Sequence, residues 1–249
     1  MIGWRARIGF LVPPGNPTVE PEMMQLAVPG VSLHFTRMVA HGVTGSLHGQ
    51  EERNRTQIEH LDECAALLAM VHPTVMVMAH TATSYTLGRT GEAQTIERIE
   101  RDTGIRFITA FGSVAAALTH LGIERVAIGT PYGDQATAQC EAHMNSYGFE
   151  VVARGRLKEV TNIYDETPER AYRLGREVDC PEAQAVFLSG VGMPTLATLQ
   201  SLEQDLGKPV ISSASAMMWN ALRVAKVAAP LLGFGRLLAG DYDALSRAR

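Results

Sequence analysis

Apolar runs alternate with amphipathic stretches along the whole chain, the pattern of βαβ units and a parallel sheet. Strands are predicted over residues 7–12, 32–35, 74–79 and 106–109, and again over 125–129, 150–153, 185–189 and 209–212. The run at 75–79 is apolar at every position, as expected for a parallel strand buried on both faces. A helix is predicted over 51–71, with Ile58, Leu61, Ala65 and Leu68 at helical spacing. Another is predicted over 165–178, with Thr167 as N-cap and Pro168 in its first turn. Gly104, Gly122, Gly148 and Gly207 each close a helical stretch ahead of a strand, where C-cap glycines belong.

The pattern restarts midway. Residues 7–16 match residues 125–134 nearly position for position, with Arg7 against Arg125, Pro13 against Pro131, Gly15 against Gly133 and Asn16 against Asp134. The chain therefore reads as two similar flavodoxin-like α/β halves with parallel sheets, related by pseudo-two-fold symmetry. The halves are expected over 1–112 and 113–249, with a C-terminal helix free to cross over. Two such halves face their strand ends across one cleft.

Composition narrows the function classes. Of 249 residues, 46% are hydrophobic and 19% charged, and the formal net charge is −4. No basic run or face marks a nucleic-acid partner, and no apolar stretch approaches the ~20 residues needed to span a bilayer. The N-terminus lacks a signal-peptide core, so a cytoplasmic protein is expected; a homo-oligomer is compatible with the sequence. Cys64, Cys140 and Cys180 form no CxxC pair and are read as core residues rather than a disulfide framework or zinc site. Gly190-Val191-Gly192 lacks the third glycine of a dinucleotide fingerprint, and there is no Walker A sequence. No His/Asp/Glu cluster has metal-ligand spacing. Neither a cofactor nor a metal is expected.

The strand at 74–79 runs into His80, then Thr81, Ala82, Thr83 and Ser84. Open α/β sheets bind ligands at the carboxyl ends of their strands. A histidine there can carry a proton near neutral pH. The hydroxyls and N–H groups that follow suit a carboxylate, a helix cap, or both. The loop after the first strand holds Pro14 and Asn16; Asn16 can donate to a carboxylate or cap the next helix. Tyr132 offers a phenolic donor or an ordinary packing ring. Gly190 and Val191 follow the strand at 185–189 and can expose backbone N–H groups. Asn162 is a weaker candidate that also suits a cap.

Several segments together resemble the aspartate/glutamate racemase superfamily, and within it the branch of arylmalonate decarboxylase and maleate cis-trans isomerase. They are residues 8–14, 16–20, 130–134, 210–214, 219–223 and 233–237. The resemblance implies a cofactor-free site between the halves, where a small carboxylate is bound and an enediolate stabilised. In that family a thiol follows the third strand of one or both halves. Carried over by position, these sites fall on His80 and Gly190, and neither is cysteine. The carboxylate-binding set implied by the resemblance falls on Asn16, Thr81, Ala82, Tyr132, Gly190 and Val191.

The expected function is a decarboxylase-like reaction on a small mono- or dicarboxylate, with His80 as single proton carrier and Tyr132 as its catalytic partner. Pro14, Asn16, Thr81, Ala82, Thr83, Asn162, Gly190 and Val191 are expected to line the substrate. The rival readings are a maleate-type isomerase or related amide hydrolase, and a carboxylate-binding protein that has lost its chemistry.

Overall fold

The computed structural model describes residues 2–240. The first half holds β1 (Ala6–Val12), α1 (Val19–Gln25), β2 (Val31–Arg37), α2 (Gln50–Glu59), α3 (Leu61–Ala69), β3 (Val75–Met78), α4 (Thr81–Thr103), β4 (Arg106–Thr109) and α5 (Ala110–His120). The second holds β5 (Arg125–Thr130), α6 (Asp134–Ser146), β6 (Glu150–Arg156), α7 (Pro168–Val178), β7 (Ala185–Leu188), α8 (Leu196–Leu206), β8 (Val210–Ser212), α9 (Ser213–Val224) and α10 (Arg236–Ala239).

Each half is a four-stranded parallel sheet, ordered β2-β1-β3-β4 in one and β6-β5-β7-β8 in the other. The repeated order is the structural form of the repeated sequence. In both sheets the connections leave the first strand in opposite directions, which opens a crevice between its end and that of the third strand. In the first half, Pro13–Asn16 and His80 meet there; in the second, Thr130–Tyr132 and Ser189–Gly190 do. Every residue of β3 and β7 is buried, as their unbroken apolar sequences require.

The halves are not separable bodies. One core cluster joins Ile8, Phe10 and Val77 of the first sheet to Val186 and Leu188 of the second. Helices α5 and α9 pack on each other, with α9 reaching β3 and β4 while α5 reaches β8. The division expected at 112/113 falls inside α5. Glu22 of α1 accepts the backbone N–H groups of Thr195 (2.6 Å) and Leu196 (2.8 Å), capping α8 across the interface. Burial pushes the Glu22 carboxyl up to about 7 against those two bonds.

The stretch expected as one helix over 51–71 is two. His60 leaves helical geometry between α2 and α3. The apolar stripe that suggested a helix belongs to α3, whose Leu61, Ala65 and Leu68 enter the core. Helix α2 carries no such stripe, and the residues it buries are Arg53, Asn54 and Gln57. The helix over 165–178 begins later than its pattern, at Pro168, with Thr167 as N-cap. Gly104 and Gly207 are the expected left-handed C-caps, at φ 68° and 67°.

Candidate active site

His80 is the N-cap of α4, in extended geometry and buried. It lines a pocket with Pro14, Arg53, Asn54, Gln57 and Tyr164. Its Nδ1 lies 2.6 Å from the Thr83 hydroxyl, one helical turn ahead, which fixes the ring. Burial, and secondarily the charge of Arg53, lowers the His80 pKa to about 4. The ring is therefore neutral at neutral pH.

Arg53 is buried and donates to the carbonyls of His48 (2.7 Å) and Ser46. Among the described residues no carboxylate forms an ion pair with it. Burial lowers its pKa, partly offset by Tyr164 and by the Glu52 carboxylate. Tyr164 stands on the same pocket; burial pushes its phenol up to about 12 against the charges of Arg53 and Arg37.

The other expected residues take more structural positions. The amide oxygen of Asn16 accepts the N–H groups of Thr18 (2.8 Å) and Val19 (2.9 Å), capping α1. Its Nδ2 donates 3.1 Å to the Val191 carbonyl of the opposite half. Thr81 donates to Ser213 at 2.9 Å, again across the halves. The Ala82 carbonyl accepts from Asn54 at 3.3 Å. Thr81, Ala82 and Thr83 lie behind His80, fully buried, and hold it rather than line the pocket. Asn162 accepts the Tyr164 N–H at 3.0 Å and closes a turn beside the pocket.

Tyr132 is 1% exposed and sits in a sealed cluster with Tyr85, Cys140 and Ser189. Tyr85 of α4 meets the Ser189 hydroxyl at 2.7 Å, bridging the halves. Burial raises both phenols far above their ordinary range and pushes the Cys140 thiol up to about 12. These groups are neutral donors, not bases or nucleophiles. Gly190 has φ 98°, and a β-carbon there would lie 2.8 Å from Pro131 and 3.2 Å from the Tyr132 hydroxyl. The second strand end thus excludes any side chain at 190. Neither Tyr132 nor Gly190 lines the His80 pocket.

A second buried network steadies α4. Glu92 accepts from Ser84 (2.6 Å), Thr109 (2.5 Å) and Tyr147 (2.7 Å) and lies 3.2 Å from His143. These partners outweigh burial and lower its pKa. Ser84 is thereby spent on the fold. Arg53, Asn54, Gln57 and Tyr164 were not anticipated. The available signal was a helix without an apolar face lying next to a buried sheet: its inward side has to be polar.

Two α/β halves of identical strand order, with a polar pocket at a strand switch point, form an architecture that binds ligands at its strand ends. The chain belongs to the arylmalonate decarboxylase family, whose model matches residues 8–238. It is 30% identical to a maleate isomerase of Nocardia farcinica, over 94% of this chain and 96% of that one. It is 27% identical to an arylmalonate decarboxylase of Bordetella bronchiseptica, over 92% and 95%. Among solved structures, a maleate isomerase variant of Pseudomonas putida S16 with maleate superposes with a TM-score of 0.85 at 26% identity, covering 95% of this chain and 98% of that one. The relatives are lyases and isomerases. No described helix is long and apolar enough to cross a membrane.

Proposed function

We propose that this chain is a cofactor-independent enzyme of a small carboxylate, working through an enediolate with His80 as the only proton carrier. The observation that carries the reading is a buried, carboxylate-free guanidinium, Arg53, in one pocket with a buried, neutral imidazole. A buried positive charge held only by backbone carbonyls is costly, and an anionic substrate supplies the counter-charge. Arg53 then holds one carboxylate. His80 exchanges one proton at the carbon beside it, and Tyr164 is placed to donate to the developing oxyanion.

Decarboxylation of a malonate-type acid balances with these groups alone. The monoanion gives its acidic proton to neutral His80 on binding. The bond from the α-carbon to one carboxylate breaks, carbon dioxide leaves, and its electron pair becomes the enediolate. Protonated His80 returns the proton to the α-carbon. No thiol is needed, and none of the three cysteines lines the pocket.

The second reading is cis-trans isomerisation, favoured by the maleate isomerase names of several relatives. A solved Nocardia farcinica relative holds a covalent succinylcysteine. Here the two positions to which the family thiols carry over hold His80 and Gly190, and an imidazole is a weaker nucleophile for adding to a double bond.

The two readings separate by product. Incubation with maleate and with 2-substituted malonates, followed by NMR, distinguishes fumarate from a monoacid. On the accepted substrate, the acid limb of kcat/KM is expected near pH 4, where free His80 titrates. Binding of acids without turnover of any of them overturns the enzyme reading.

A further inference from the structure

Helix α2 places two uncharged acceptors beside the cation. Asn54 and Gln57 are both 4% exposed and line the pocket. The side-chain oxygens of both carry no hydrogen bond. For Asn54 the orientation is fixed. Its Nδ2 donates to the Ala82 carbonyl (3.3 Å) and meets the Thr86 hydroxyl (3.1 Å). Rotating the amide would set oxygen against the Ala82 carbonyl oxygen, which can only accept. The Asn54 Oδ1 is therefore a buried acceptor without a protein donor, and Gln57, on the next turn of the same face, can turn its own amide oxygen to the same donor.

A buried acceptor left unpaired costs about 1–3 kcal/mol. Asn54 and Gln57 both line the candidate site, where a donor on the bound ligand can satisfy these oxygens. The terminal oxygens of a fully ionised dicarboxylate are acceptors only. One carboxylate satisfies Arg53; the second would face amide oxygens with lone pair against lone pair. A hydroxyl, an amide N–H or an ammonium group satisfies them.

Resting on the carboxylate reading above, we infer that the ligand of this pocket carries one carboxylate for Arg53 and a hydrogen-bond donor for Asn54 and Gln57. The class is a short acid whose second group can donate: a hydroxy, amino or monoamide acid, or a malonate-type acid entering as its monoanion, rather than a fully ionised dicarboxylate. The discrimination is of the kind in which a site built for a donor rejects an analogue lacking it.

Calorimetric titration of the full chain tests this with matched acids: succinamate against succinate, malonamate against malonate, and malate against succinate. The donor-bearing member is expected to bind roughly 5- to 100-fold more tightly, the range set by one satisfied buried acceptor. In Gln57→Met the preference is expected to shrink, and in Gln57→Glu a cationic donor is expected to gain most. Asn54→Leu is expected to abolish the preference. If that variant does not fold, the wild-type pairs and Gln57→Met still decide. Equal or tighter binding of the plain dicarboxylates by the wild type overturns the inference and leaves the carboxylate reading standing. Failure of every acid to bind, or binding indifferent to Arg53→Met, overturns both.

Discussion

The two halves share a strand order and a sequence repeat, yet their equivalent strand ends have diverged. In the first half the strand delivers His80 and α4 begins at the next residue, so the histidine is clamped between sheet and helix. In the second half, β7 is followed by a loop at 189–195 before α8 begins at Leu196. That loop turns at Gly190 in left-handed geometry, against Pro131 and Tyr132. One end keeps a small polar pocket beside a titratable imidazole. The other is sealed by neutral hydroxyls and serves as a wall. Of the two equivalent crevices, only the first places an imidazole at its strand end.

The largest effect expected from breaking this asymmetry is catalytic. His80→Ala should lower turnover roughly 10²–10⁴-fold, the scale of a positioned acid or base. Ser189→Ala, at the other strand end, should change turnover far less and register mainly as lower thermal stability. Equal kinetic losses in the two variants would make the site two-sided.

The joint between the halves comes next. Glu22 titrates near 7 when folded and near its ordinary 4.5 when unfolded. Its raised value means the folded state retains a proton that the unfolded state releases. Its contribution is full below about 4.5 and is lost as pH rises to about 7, on the order of 3 kcal/mol. Glu22→Gln should remove this part of the pH dependence of urea unfolding. A variant whose stability follows the wild-type pH curve would sink the assignment.

A smaller effect is expected at Gly190. Gly190→Ala forces a β-carbon into left-handed backbone and against Pro131, a cost of about 1–3 kcal/mol. Melting temperature reads it. An unchanged melt would show that the wall can yield and that a side chain could be carried there.

Much of this was legible in the chain itself. Unbroken apolar β-strands and the repeat of 7–16 at 125–134 fixed the two parallel sheets, because burial on both faces leaves no alternation to confuse them. His80 stood out because it ends such a strand. What stayed hidden was α2. Its polar sequence looked like the solvated start of the longer helix over 51–71, and only the tertiary packing turns Arg53, Asn54 and Gln57 inward. Asn16 was read as donor or cap, and the fold uses its amide for capping and for tying the halves together. Tyr132 was expected at the substrate, but lies in the sealed cluster beside Gly190. Whether a hydroxyl faces a ligand or a neighbouring helix depends on contacts between halves far apart in sequence.

If His80 alone exchanges the proton, one face of the substrate receives it. Turnover of a prochiral 2-substituted malonate in deuterium oxide tests it most directly, with the product analysed by NMR in a chiral environment. The account predicts deuterium at the α-carbon in a single configuration, and loss of product with His80→Ala but not with Ser189→Ala. A racemic deuterated product, or undiminished turnover by His80→Ala, would contradict it.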